Sequence, residues 1–190
     1  MNDFIFYSPT KVYFGKNKEI EIGKIVNEFN FKKVLLVYGQ NSIKKIGLYD
    51  KVINSLLEYN IKYLELSGIE PNPKLSKVKE GIKLIKEEQV DLILAVGGGS
   101  VIDTAKAIAC GVYLKEDPWC LNAHTVTPKE ALPIGVILTI SAAGSELSNA
   151  HNFANFIISI KYFIRQIKFS YTSINICSRF SDISAHVWTW

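Results

Sequence analysis

The chain has 190 residues, enough for one good-sized domain. A hydrophobic content of 48% with 21% charged residues marks a globular chain rather than a disordered one, and a net charge of +4 is too small to argue for nucleic acid. The three cysteines (Cys110, Cys120, Cys177) have no CxxC spacing, the N-terminus has no basic-then-apolar leader, and no apolar run approaches membrane-spanning length. These observations lead us to expect a cytoplasmic protein with reduced thiols and no membrane or nucleic-acid partner.

In chain order, the patterning predicts a helix near 18–29, a strand near 33–38 and a helix near 42–59. A strand near 61–66 follows, then a helix near 75–88. That helix carries Val78, Ile82 and Ile85 on one side of a helical wheel. Leu92-Ile93-Leu94-Ala95-Val96 is an apolar run, as expected of a strand buried on both faces of a parallel sheet. A helix near 100–111 and a strand near 134–139 complete the series. Alternating strands and helices imply an α/β fold, a parallel sheet with helices on both faces. Ligands in such sheets bind beyond the carboxyl ends of the strands. Gly39, Asn72, the glycines at 97–99 and Thr139 all fall at or just after predicted strand ends.

Gly97-Gly98-Gly99-Ser100 is the most informative of these turns. Glycine lets a ligand come close to the backbone. Ser100 is expected to N-cap the next helix, with Asp103 reaching back as a capping-box carboxylate. A helix N-terminus presents unpaired N–H groups and partial positive charge, a seat for a pyrophosphate. A plain strand-to-helix turn is the alternative, because the spacing is neither GxGxxG nor a Walker pattern.

The longer string GGGSVIDTAKAIA, from Gly97 to Ala109, resembles the cofactor turn of the iron-containing alcohol dehydrogenases, particularly their butanol dehydrogenase branch. Tyr7-Ser8-Pro9-Thr10-Lys11-Val12-Tyr13-Phe14-Gly15 resembles that family's opening strand. Leu35-Leu36-Val37-Tyr38-Gly39-Gln40-Asn41-Ser42 resembles its first strand–turn–helix, and Gly68-Ile69-Glu70-Pro71-Asn72-Pro73 its third turn. Ala131-Leu132-Pro133-Ile134-Gly135-Val136-Ile137-Leu138-Thr139 and Gly144-Ser145-Glu146 resemble the end of its nucleotide domain. The resemblance runs from about Phe4 to about Asn149 and implies a Rossmann-like nucleotide domain. It also implies NADP or NAD as cofactor, Fe²⁺ or Zn²⁺ as metal, and a short primary alcohol or aldehyde such as butanol as substrate. It leaves room for a homodimer of the family type.

Residue by residue, the resemblance places Gly98, Gly99 and Ser100 against the cofactor pyrophosphate and Asp103 beside the cofactor. Asn72 corresponds to an asparagine near the ribose, although an Asn between two prolines also serves a turn. Thr139 corresponds to a threonine near the nicotinamide side, while Ala143 stands where the family commonly has Thr. Gly39 and Ser42 belong to the turn at the end of the first resembling strand. An acidic residue there would bind the ribose 2′-hydroxyl of NAD and repel a 2′-phosphate. Its absence, with Lys44 and Lys45 following, permits NADP; the alternative is that both lysines are merely exposed. Lys106 is read as a solvated helix lysine. Asp117-Pro118-Trp119 matches a family turn, with Cys120 in place of the usual acid.

The family's metal chemistry uses one Asp and three His, and this chain has only His124, His151 and His186. Asp182 and His186 have the i, i+4 spacing that puts two ligands on one helix face, but the set is incomplete and a chance match is the alternative. All 12 glycines and all 6 prolines precede residue 150, and the last 41 residues contain one acid, Asp182, against Lys161, Arg165, Lys168 and Arg179. We therefore divide the chain into a dinucleotide-binding domain at 1–149 and an aberrant tail at 150–190, standing where the helical metal-binding domain would begin. A basic amphipathic helix carrying Phe153, Phe156, Ile157, Ile160, Ile164 and Ile167 is the alternative for that tail. Read this way, these 190 residues alone are not expected to oxidise an alcohol. The rival is a non-catalytic dinucleotide-binding remnant.

Overall fold

A computed structural model describes residues 10–123 and 125–140, and the backbone of 174–177. Among the described residues, six strands form one sheet: β1 (Lys11–Phe14), β2 (Lys33–Tyr38), β3 (Lys62–Leu66), β4 (Leu92–Gly97), β5 (Ile134–Leu138) and β6 (Ile174–Cys177). Every pairing is parallel, in the order β1-β6-β5-β4-β2-β3. The chain runs from β2 outward to β3, then returns to the other side of β2 for β4 and continues to β5. The sheet therefore has a topological switch point between β2 and β4.

Parallel strands need crossovers, and helices supply them. A 3-10 turn at Lys18–Glu21 leads into α1 (Ile22–Glu28), so the helix expected at 18–29 is present with a tightened first turn. The helix expected at 42–59 is instead two pieces, α2 (Ser42–Lys45) and α3 (Leu48–Glu58). Gly47 separates them at φ 69°, a left-handed conformation that no helix can continue through. Then come α4 (Leu75–Glu88), α5 (Gly99–Gly111) and a short α6 (Trp119–Asn122) that the patterning did not predict. The Asp117 carboxylate accepts the Trp119 N–H at 2.9 Å and pairs with Lys79 Nζ, which pins the start of α6.

All of β4 is buried, and so is β2 from Val34 to Tyr38. Alternate residues face opposite ways. Leu35, Val37, Ile93 and Ala95 pack with α4 and α5, whereas Val34, Leu36, Leu92 and Leu94 pack with α1 and α3. That double burial is why these strands read as continuous apolar runs rather than alternating ones. At the amino edge of the sheet, the Asp91 carboxylate accepts the N–H groups of Lys32 and Lys33 at 2.8 and 3.0 Å. This joins the start of β2 to the start of β4.

β6 comes from the segment beyond residue 149. It lies between β1 and β5, in register with both. The amphipathic helix that is the alternative for the tail, from Phe153 to Lys168, lies outside the described residues.

Candidate functional site

The register places the carboxyl ends of the central strands side by side. Tyr38 pairs with Val96, Gly97 with Leu138, and Val37 with Leu66. The turns that follow are then stitched to one another. Thr139 N–H donates to Gly97 O at 3.1 Å, Gly68 N–H to Gly39 O at 3.0 Å and Ile69 N–H to Tyr38 O at 3.3 Å. Gly39, the glycine turn and Thr139 thus share one edge across the switch point, and the turn carrying Asn72 adjoins Gly39. This is where open parallel sheets take their ligands.

The glycine turn differs from the capping-box expectation. The helix begins at Gly99, its N-cap is Gly98, and no side chain caps it. Ser100 is therefore inside the first turn, and its carbonyl accepts the Thr104 hydroxyl at 2.8 Å. Asp103 lies a turn further in and is buried, at 8% exposure. The N–H groups of Val101 and Ile102 both bond to Gly98 O, at 3.0 and 3.2 Å. Those of Gly99 and Ser100 precede any intrahelical acceptor, and both residues are half-buried. A serine-capped helix would have spent a donor on the serine; a glycine-capped one presents its donors outward.

Steric room agrees. Among the described residues, a side chain at Gly98 would meet Ile140, at 3.8 Å. A side chain at Gly97 would strike Val101 at 2.6 Å. Gly97 is a packing glycine, whereas Gly98 has room for a side chain among the described residues. The residues present thus fit a pyrophosphate: paired helix-terminal donors, an open approach and the positive end of the α5 dipole.

The remaining predicted residues divide as follows. Gly39 and Thr139 are half-buried at the edge, and Ser42 is exposed at the start of α2. Asn72 is exposed in the left-handed conformation, φ 59°, between exposed Pro71 and buried Pro73. Lys106 is half-buried rather than solvated. Residues 141–146, His124, His151, Asp182 and His186 lie outside the described residues. Among the described residues there is no cluster of three or more His, Cys, Asp or Glu side chains able to hold a metal ion.

Two features escaped the sequence reading. Ile140, 64% exposed, flanks the glycine turn; its one signal was an apolar residue just past a strand end. Glu65 of β3 accepts the hydroxyls of Tyr38 at 2.5 Å and Tyr49 at 2.7 Å. No spacing rule joins those three positions, because the sheet pairing and the α2–α3 break bring them together.

A family description reading iron-containing alcohol dehydrogenase matches residues 9–169. The chain belongs to that family. The match reaches past Asn149, where the resemblance was expected to stop. Relatives include a probable NADH-dependent butanol dehydrogenase of Bacillus subtilis, 49% identical over 148 residues, covering 78% of this chain and 38% of that protein. The NADPH-dependent aldehyde reductase YqhD of Escherichia coli is 40% identical over 153 residues, covering 79% of this chain and 38% of that protein. In structure, the NADH-dependent butanol dehydrogenase A of Thermotoga maritima matches with a TM-score of 0.85 at 38% identity, covering 94% of this chain and 44% of that one. The chain spans about two fifths of the length of the curated relatives it matches.

Proposed function

We propose that the carboxyl-edge cleft binds an NAD(P) dinucleotide as the nucleotide half of an alcohol–aldehyde oxidoreductase of the butanol dehydrogenase type. The observation that carries this reading is the glycine-capped start of α5, with its open approach at the switch point. In this assignment the N–H groups of Gly99 and Ser100 hold the pyrophosphate. Gly39, Ser42 and Asn72 flank the adenosine ribose, and Thr139 and Ile140 border the nicotinamide. Asp103, buried in α5 behind the turn, lies beside the cofactor.

A bound dinucleotide supplies or accepts the hydride that interconverts alcohol and aldehyde. The chain's own part is to bind it, fix its orientation and exclude water along one side. The names of the relatives, which include both NADH- and NADPH-dependent enzymes, support this reading. Titration calorimetry of the 190-residue chain with NADH and NADPH tests it. Saturable one-to-one binding of at least one of the two is expected. Absence of binding for both contradicts the assignment.

A further inference from the structure

Tyr38 ends β2, and Tyr49 stands in the first turn of α3. Between them runs the segment from Gly39 to Leu48, which carries Ser42, α2 and the left-handed break at Gly47. Both tyrosine hydroxyls donate to one carboxylate, Tyr38 to Glu65 Oε2 at 2.5 Å and Tyr49 to Glu65 Oε1 at 2.7 Å. Glu65 lies in register with Leu36 of β2, so it faces the same side of the sheet as Leu36 and Tyr38. We propose that Glu65 is a positioning residue: by holding Tyr38 and Tyr49 together, it closes both ends of the 39–48 segment and fixes that wall of the cleft before a ligand arrives. The role in binding rests on the dinucleotide reading above; the closure itself does not.

Among the described residues, the segment has few other anchors. Ile43 and Leu48 are its buried side chains, and residues 40–42 and 44–46 are exposed. Gly39 O accepts the Gly68 N–H at 3.0 Å. α2 is a single turn, with Lys45 N–H bonded to Asn41 O at 3.0 Å and Ile46 N–H to Ser42 O at 3.3 Å. One helical turn is marginal by itself. Lys44 leans on the closure: its Nζ lies 4.8 Å from the Tyr49 ring centroid and 5.5 Å from that of Tyr38. Those two rings, with centroids 5.8 Å apart, are the ones Glu65 holds. α2 therefore rests on a surface that the carboxylate sets.

Hydrogen bonds from a hydroxyl to a carboxylate are short and about twice as strong as neutral ones. Burial first, and the bond to Glu65 second, hold both phenols above their ordinary 10.0, so both are donors at neutral pH. Glutamate is a poor strand residue, and a charge that only discouraged edge pairing would need no partner. Glu65 instead commits one oxygen to each tyrosine. Fixing the segment in advance removes part of the ordering cost of binding a ligand that touches Gly39 or Ser42.

Native-state amide exchange of the ligand-free chain, and calorimetric titration with NADH and NADPH, would compare wild type with Glu65→Ala, Glu65→Gln and Tyr49→Phe. Glu65→Ala should speed exchange of the Lys45, Ile46 and Gly47 amides by about tenfold, with β2 and β4 unchanged, as for loss of a charge-assisted bond. It should weaken the binding of both dinucleotides by about three- to tenfold. Glu65→Gln keeps one acceptor oxygen, and Tyr49→Phe removes one hydroxyl without touching the sheet. Each should fall between Glu65→Ala and wild type. Unchanged α2 exchange in Glu65→Ala, or an equal rise across β2 and β4, overturns the closure. Faster α2 exchange with both affinities unchanged overturns the positioning role and leaves the cleft standing. If the wild-type chain binds neither dinucleotide, the dinucleotide reading falls and the role in binding with it, while the exchange result still decides the closure.

Discussion

Gly98 has φ −97° and ψ −167°, extended backbone that any residue adopts. Its lack of a side chain therefore serves approach, not conformation. Gly98→Val should leave the thermal unfolding midpoint nearly unchanged and weaken dinucleotide binding by about tenfold or more, read by fluorescence titration. A variant that binds as tightly as wild type would show that no ligand crosses this turn. The glycines, the strand ends and the absent acid at 39–42 were all legible in the sequence. The cap was not, because serine is the commoner N-cap and only the structure shows the helix starting one residue before it.

A second residue-scale effect concerns pH. Burial pushes the Cys110 thiol up from its ordinary 9.0 to about 12. Tyr38 and Tyr49 are raised for the same first reason. A raised folded-state value means that folding favours the protonated form. This stability is complete below about pH 9 and drains away as pH rises toward 12. Urea unfolding across this range should show the decline. Cys110→Ala should delay its onset toward the ordinary tyrosine range near 10. Identical profiles for the two proteins would exclude Cys110 as the cause.

At the scale of elements, α1 and α3 approach most closely at Gly23. Its N–H donates to Ser55 Oγ at 3.0 Å, and the Ser55 hydroxyl donates to Ile20 O at 2.6 Å. A Cβ at Gly23 would lie 1.8 Å from the Ser55 backbone oxygen. Backbone cannot yield as a side chain tip can. Gly23→Ala should therefore cost about 2–3 kcal/mol by chemical denaturation. A loss below about 0.5 kcal/mol, the scale of an ordinary surface change, would mean that the helices can separate freely. The patterning placed α4 at its observed limits, since Val78, Ile82 and Ile85 mark one unbroken face. It missed the break before Leu48 because apolar periodicity carries on through Gly47. The clue was the glycine itself, whose φ 69° no periodicity reports.

At the scale of the molecule, β6 is the element that the composition of the last 41 residues concealed. Those residues lack glycine and proline and carry little acid, yet four of them enter the sheet between β1 and β5. β1 pairs with no other strand among the described residues. Deleting residues 150–190 should therefore release β1, bare the β5 edge and promote aggregation. Static light scattering and thermal unfolding of the shortened chain would check this. A soluble product with an unchanged midpoint would show that β6 adds nothing to the fold. The parallel sheet and its double-sided burial were legible because both leave apolar runs; a strand supplied from a distant segment leaves no local mark.

The central claim is that the edge joining the turns at 39–42 and 97–100 to Thr139 is a dinucleotide cleft. Amide chemical-shift mapping during titration with NADPH tests it most directly, because it reports the backbone N–H groups themselves. The account predicts saturable shifts concentrated at Gly98, Gly99, Ser100, Gly39, Ser42 and Thr139. Shifts that do not saturate, or that gather away from the carboxyl edge of the sheet, would contradict it.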